Sequence, residues 1–129
     1  MNLGFKSIVE ETNSANRVKV LDYTTKVPEI MSISTLVVTK PGGLTTSESL
    51  ASGLPLLIIN PIPGQEEENA EFLENHNVGV WLRKKDNPDT VITNLFTDKN
   101  KLESMKENTK LLAKKNSTKD ICKIIMCLN

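Results

Sequence analysis

The feature that most constrains this chain is an apolar run broken by two successive glycines, followed by a second apolar run about a dozen residues later. Leu36, Val37, Val38 and Thr39 give way to Lys40, Pro41, Gly42 and Gly43, and then to a helix-compatible stretch from Leu44 to Ser52. Gly53 stops that stretch. Pro55 then leads into Leu56, Leu57, Ile58 and Ile59, whose length and flanks suit a buried parallel strand better than a helix. Strand, glycine turn, helix and strand make a βαβ unit. Two glycines are expected to let the backbone adopt positive φ and approach a ligand closely, and the helix that follows aims unpaired N–H groups at the same spot. Such a corner attracts phosphate. The loop of Asn60, Pro61, Ile62, Pro63 and Gly64 falls at the same end of the sheet, where open α/β sheets bind ligands.

The remaining periodicities extend this unit in both directions. Residues 1–15 predict a first helix around Phe5, Ile8 and Val9, ended by the mostly polar run at 13–16. Val18, Lys19, Val20 and Leu21 alternate as a strand should, and a turn at 22–25 leads to a short helix over 27–34 with Pro28 in its first turn. Residues 65–75 have helical spacing, 78–82 read as a last strand, and Asn87, Pro88 and Asp89 open a helix to Phe96. A long polar helix from Asp98 presents Leu102, Met105, Leu111 and Leu112, and a final one from Thr118 presents Ile121, Ile124, Ile125 and Leu128. The alternation predicts one α/β domain over residues 1–129 with a Rossmann-like, doubly wound parallel sheet.

Composition narrows the ligand. Sixteen basic residues balance 16 acidic ones, and three Phe, one Tyr and one Trp are too few for a base-stacking platform, so no nucleic acid is expected. No segment approaches the roughly 20 apolar residues of a membrane span, and no signal-peptide pattern opens the chain, so a cytoplasmic location is expected. Cys122 and Cys127 have neither metal-site nor redox spacing, and no metal is expected.

Individual residues carry two readings each. Thr45 and Glu48 have the spacing of a capping box, yet Glu48 also suits the vicinal hydroxyls of a ribose. Gln65, Glu66 and Asn69 can converge on a polyol, whereas Glu67 and Glu68 are read as complementing the helix dipole. Lys40 fits either a phosphate partner or a solvated loop lysine. His76, the single histidine, is read as a surface or capping residue, and Trp81 as core. Neither a nucleotide-hydrolysing P-loop nor a nucleophile triad can be assembled, and no catalytic residue is assigned.

The run from Thr39 to Glu48, followed by Gly53, Leu54 and Pro55 and then by residues 61–69, closely resembles the C-terminal domain of glycosyltransferase family 28. Within it the chain is most similar to processive diacylglycerol glucosyltransferases and monogalactosyldiacylglycerol synthases. The resemblance covers residues 18–82 and implies the donor-binding half of a GT-B enzyme, which takes UDP-glucose or UDP-galactose and needs no other cofactor. It implies that Gly42, Gly43, Leu44 and Thr45 line the diphosphate through their backbone and that Glu48 binds the ribose. Gln65, Glu66 and Asn69 would meet the hexose, and Tyr23 and Thr24 the uracil. Family members also carry an N-terminal acceptor domain, and their C-terminal domain begins with a strand and a further glycine loop not found before Val18. The expectation is therefore a shortened chain, or one that works with a partner and contacts a membrane peripherally through the absent domain. An exposed sheet edge would invite self-association. The rival readings are a non-catalytic nucleotide-sugar-binding subunit and, disfavoured for want of GxGxxG, a dinucleotide-dependent oxidoreductase.

Overall fold

The computed structural model describes residues 17–115, with side chains as far as residue 113. Its order is α1 (Val27–Ile33), β1 (Val37–Thr39), α2 (Gly43–Ala51), β2 (Leu56–Ile59), α3 (Gln65–Asn75), β3 (Gly79–Leu82), α4 (Pro88–Thr97) and α5 (Lys99–Lys115). The three strands form one parallel sheet in the order β1-β2-β3, with Val37 opposite Leu56 and Leu56 opposite Gly79.

That register decides which side chains share a face, because direction alternates along each strand. Leu56 and Ile58 lie on one face with Leu50 of α2, Ala70 and Leu73 of α3, and Leu112 of α5. Leu57 lies on the other with Val80, Leu82, Leu95 of α4 and Met105 of α5. Both faces of β2 are therefore covered, and α5 reaches from one layer to the other. The arrangement is the Rossmann-like, doubly wound α/β sheet that the alternation predicted.

Helix ends are set locally. At the end of α2 the Leu54 N–H donates to the Ser49 carbonyl at 2.9 Å and the Gly53 N–H to that of Leu50 at 3.1 Å. Gly53 has φ +69°, which a residue without Cβ adopts freely. Asn77 plays the same part after α3, with φ +55°, and His76 is the C-cap between them. The His76 Nδ1 lies 2.8 Å from the Phe72 carbonyl on the exposed surface, in keeping with a capping role. The Asn87 side chain accepts from the N–H groups of Asp89 and Thr90, with Pro88 in the first turn.

On the outer margin of β3, Glu74 Oε2 accepts the Trp81 backbone N–H at 2.9 Å. Glu74 also pairs with Arg83 at 3.1 Å. The guanidinium carbon of Arg83 stands 4.4 Å from the centroid of the Trp81 ring, so Trp81 is partly buried between the core and a cation.

Three expectations are corrected. Residues 18–21 form no strand: Val18 and Leu21 are 45% and 49% exposed, because an alternating segment gains a buried face only where something covers it. The sheet thus has three strands among the described residues, and the outer edge of β1 is unpaired there, with Val38 54% exposed. On α5, Leu111 is exposed and Thr109 takes the buried place between Met105 and Leu112, its hydroxyl donating to the Met105 carbonyl. The expected helices at 1–15 and 118–128, with Cys122 and Cys127, lie outside the described residues.

Gly79 brings β3 close to α3. A Cβ there would stand 3.1 Å from Ile58 Cδ1 and 3.3 Å from both the Leu56 carbonyl and Leu73 Cβ. Gly79→Ala is expected to lower unfolding free energy by about 1–3 kcal/mol through overpacking. Asn87→Ala should cost about 1 kcal/mol through loss of the cap. Urea denaturation of the variants measures both, and a Gly79→Ala chain as stable as wild type would refute the close-approach account.

Candidate functional site

Every parallel crossover returns the chain so that the next helix begins beside the carboxyl end of the strand before it. The starts of α2 and α3 therefore lie at one end of the sheet, beside the ends of β1 and β2. Neither helix has a side chain capping its N-terminus; Gly42 and Gly64 stand at the cap positions. The Thr46 N–H donates to the Gly42 carbonyl, which leaves the N–H groups of Gly43, Leu44 and Thr45 without a partner inside the helix. With the helix dipole behind them they form a positive corner open to an anion.

The glycines open this corner differently from the expectation. Gly42 has φ −68° and ψ 150°, a conformation any residue can take, and Gly43 is the first helical residue. Among the glycines with described geometry, positive φ occurs only at Gly53 and Gly64. What Gly42 contributes is room: a Cβ there would meet nothing within 4 Å among the described residues. The capping box is also absent. Thr45 and Glu48 both lie inside α2, and neither caps it, because the helix starts at Gly43, two residues before Thr45.

Glu48 is exposed on the second turn of α2, and its carboxylate has no hydrogen-bond partner among the described residues. Gln65 and Glu66 open α3 and are partly exposed, and the carboxylates of Glu66, Glu67 and Glu68 all complement its dipole. Gly64 enters that helix at φ +100°, and Asn60 turns the chain at the end of β2 with φ +42°.

Asn69 joins the two halves. Its Nδ2 donates to the Pro41 carbonyl at 2.8 Å, tying α3 to the loop that opens α2, and its side chain is wholly buried. Tyr23 and Thr24 lie in the segment before α1. Tyr23 is 92% exposed and the Thr24 hydroxyl accepts the Lys26 N–H, and the described contacts bring neither to α2 or α3. The Lys40 side chain is exposed.

A groove of about 180 Å³ continues the site past β2, lined by Asn60, Pro61, Glu67, Trp81, Arg83 and neighbours. The sequence placed the loop of Asn60 and Pro61 at this end of the sheet but read Glu67 as a complement to the helix dipole and Trp81 as core, and it gave Arg83 no role, although Arg83 follows β3 directly. A larger groove of about 300 Å³, with Asn77, Gly79, Lys101 and Asn108 on its walls, lies at the start of β3 and thus at the opposite end of the sheet. Ligand sites of such sheets form at the carboxyl ends, so the smaller groove is the relevant one. No group of three or more metal-ligating side chains occurs among the described residues, and no helix there is long and apolar enough to cross a membrane.

Comparison with known proteins agrees with this geometry. The family model for the glycosyltransferase family 28 C-terminal domain matches residues 4–124. The processive diacylglycerol beta-glucosyltransferase of Bacillus pumilus (strain SAFR-032) is 37% identical over 120 residues, which is 93% of this chain and 31% of that protein. The protein of the same name from Bacillus subtilis (strain 168) is 34% identical over 90% of the chain and 30% of its own length. That from Staphylococcus carnosus (strain TM300) is 38% identical over 86% and 28%. The chain spans about a third of the length of the curated relatives it matches. With its parallel sheet, glycine corner and paired helix starts, the chain belongs to the glycosyltransferase family 28 C-terminal domain family.

Proposed function

We propose that this chain binds the UDP-sugar donor of an inverting glycosyltransferase that moves a hexose, glucose or galactose, onto a diacylglycerol-type lipid. The observation that carries the reading is the uncapped start of α2 at the carboxyl end of β1, with three N–H groups presented beside an open Gly42. The names of the relatives support the choice of lipid acceptor and of glucose. In this reading residues 42–45 hold the diphosphate, Glu48 accepts hydrogen bonds from the ribose hydroxyls, and Gln65 and Glu66 meet the hexose. Tyr23 and Thr24 cover the uracil once the loop before α1 closes on it.

The reaction needs no covalent intermediate on the protein. The acceptor hydroxyl attacks the anomeric carbon as the bond from that carbon to the diphosphate oxygen breaks. UDP departs with the electron pair, stabilised by the α2 amides, and the acceptor's proton passes to a base outside this chain. The isolated chain therefore binds without catalysing, and a further acceptor-binding domain completes the cytoplasmic, membrane-peripheral enzyme. The edge of β1, unpaired among the described residues, favours a second reading, a binding subunit that completes its site on a separate acceptor-binding protein or on a second copy. A single monomeric mass by light scattering near millimolar concentration, with and without the acceptor-binding protein, would remove that reading.

Amide shifts of the labelled chain titrated with UDP, UDP-glucose and UDP-galactose should saturate at Gly42, Gly43, Thr45, Glu48 and Gln65. Glu48→Ala should weaken UDP by about 1.5–3 kcal/mol, the value of a charge-assisted hydrogen bond, and leave 2′,3′-dideoxy-UDP unaffected. Gly42→Val, whose Cβ meets nothing within 4 Å among the described residues, should keep the fold and weaken UDP at least tenfold. Equal UDP affinity in both variants, or hexose transfer by the isolated chain, would contradict this assignment.

A further inference from the structure

Most buried polar side chains here satisfy themselves locally. The hydroxyls of Ser47, Ser49 and Thr109 each donate to a carbonyl four residues earlier in the same helix. Asn69 does not. It sits on the second turn of α3, wholly buried, and spends its amide donor on a carbonyl 28 positions away, that of Pro41, at 2.8 Å. Its Oδ1 is buried without a hydrogen-bond partner among the described residues, as is the Thr46 hydroxyl on α2. A buried amide with one side unsatisfied is a poor way to hold two helices together, since an apolar residue of similar size would pack there without an orphaned acceptor.

The carbonyl it holds explains the choice. Pro41 immediately precedes Gly42, the cap position of α2, and its oxygen is a negative dipole one peptide away from the three free N–H groups. Turned outward, that oxygen would repel an anion approaching them; drawn inward, it leaves only donors at the surface. The Asn69 amide supplies the donor this needs, whereas a carboxylate at the same position has none when ionised and would repel both the carbonyl and the anion. The Gly42 N–H donates to the Lys40 carbonyl at 2.9 Å, so the carbonyls of both Lys40 and Pro41 have donors within the protein.

The geometry points to Asn69 as a positioning residue of the diphosphate corner: it acts on the ligand through the Pro41 carbonyl rather than by touching the hexose. This rests on the donor-site reading above and deepens it. Asn69 then governs affinity for the phosphates and leaves the nucleoside untouched.

The test compares Asn69→Ala and Asn69→Asp with the wild-type 129-residue chain. In the absence of ligand, the amide signals of residues 42–45 should move in both variants, while the methyl signals of Leu73 and Leu50 stay in place. UDP affinity should fall at least tenfold, and that of uridine, which lacks the phosphates, should change less than twofold. In the wild-type chain the Asn69 Nδ2 protons should exchange slowly with solvent, a measurement that stands even if neither variant folds. Unmoved amides at 42–45, equal losses for UDP and uridine, or Asn69 protons that exchange as fast as those of exposed Asn75 would each overturn the assignment. A wild-type chain that binds no UDP would defeat the donor-site reading instead, and the ligand-free amide and exchange measurements would still decide whether Asn69 holds the loop.

Discussion

The structure depends on the burial of β2. Leu56, Leu57 and Ile58 are each no more than 1% exposed, and consecutive residues of a strand point to opposite faces, so the sheet has to be covered on both sides. α2 and α3 cover one face and α4 with the first half of α5 the other. Parallel strands joined by helices must begin each helix at the carboxyl end of a strand. The clustering of two helix starts at one end of the sheet is thus a by-product of how the core is closed, and the ligand corner needs no separate scaffold.

What the core does not explain is the chemistry at that corner. Asn69 keeps a buried acceptor that has no partner among the described residues, at a cost of about 1–3 kcal/mol, and holds the Pro41 carbonyl inward. Gly42 leaves open a place where a Cβ would meet nothing within 4 Å among the described residues. α2 lacks the capping side chain that α4 obtains from Asn87. Each choice gives up local stability where a ligand would restore it, and such conflicts between local preference and fold concentrate at working sites.

Much of this was legible in the sequence because it was local. The run at 56–59, the stop at Gly53 and the Asn87-Pro88 helix start each act within a few residues, and all stand where they were expected. The family resemblance was legible because the two glycine and glutamine motifs are short and contiguous. Other features were not local. Threonine and glutamate three apart fit a cap or a helix interior equally well, and only the start at Gly43 decides between them. Helical spacing put Asn69 near the ligand end but could not show its amide turned to a carbonyl 28 residues away. The alternation at 18–21 promised a strand whose realisation depends on a neighbour, and residue pattern alone does not supply neighbours.

The Glu74 carboxylate gives the two margins of the sheet different fates. By accepting the Trp81 N–H it occupies a backbone donor on β3 that an incoming strand would need, and Arg83 keeps that carboxylate in place. β1 carries no such block among the described residues. Among the described residues the sheet therefore has one margin closed by a side chain and one left open, and a strand added to it, from the same polypeptide or another, would meet free backbone groups on the β1 side and a blocked donor on the β3 side.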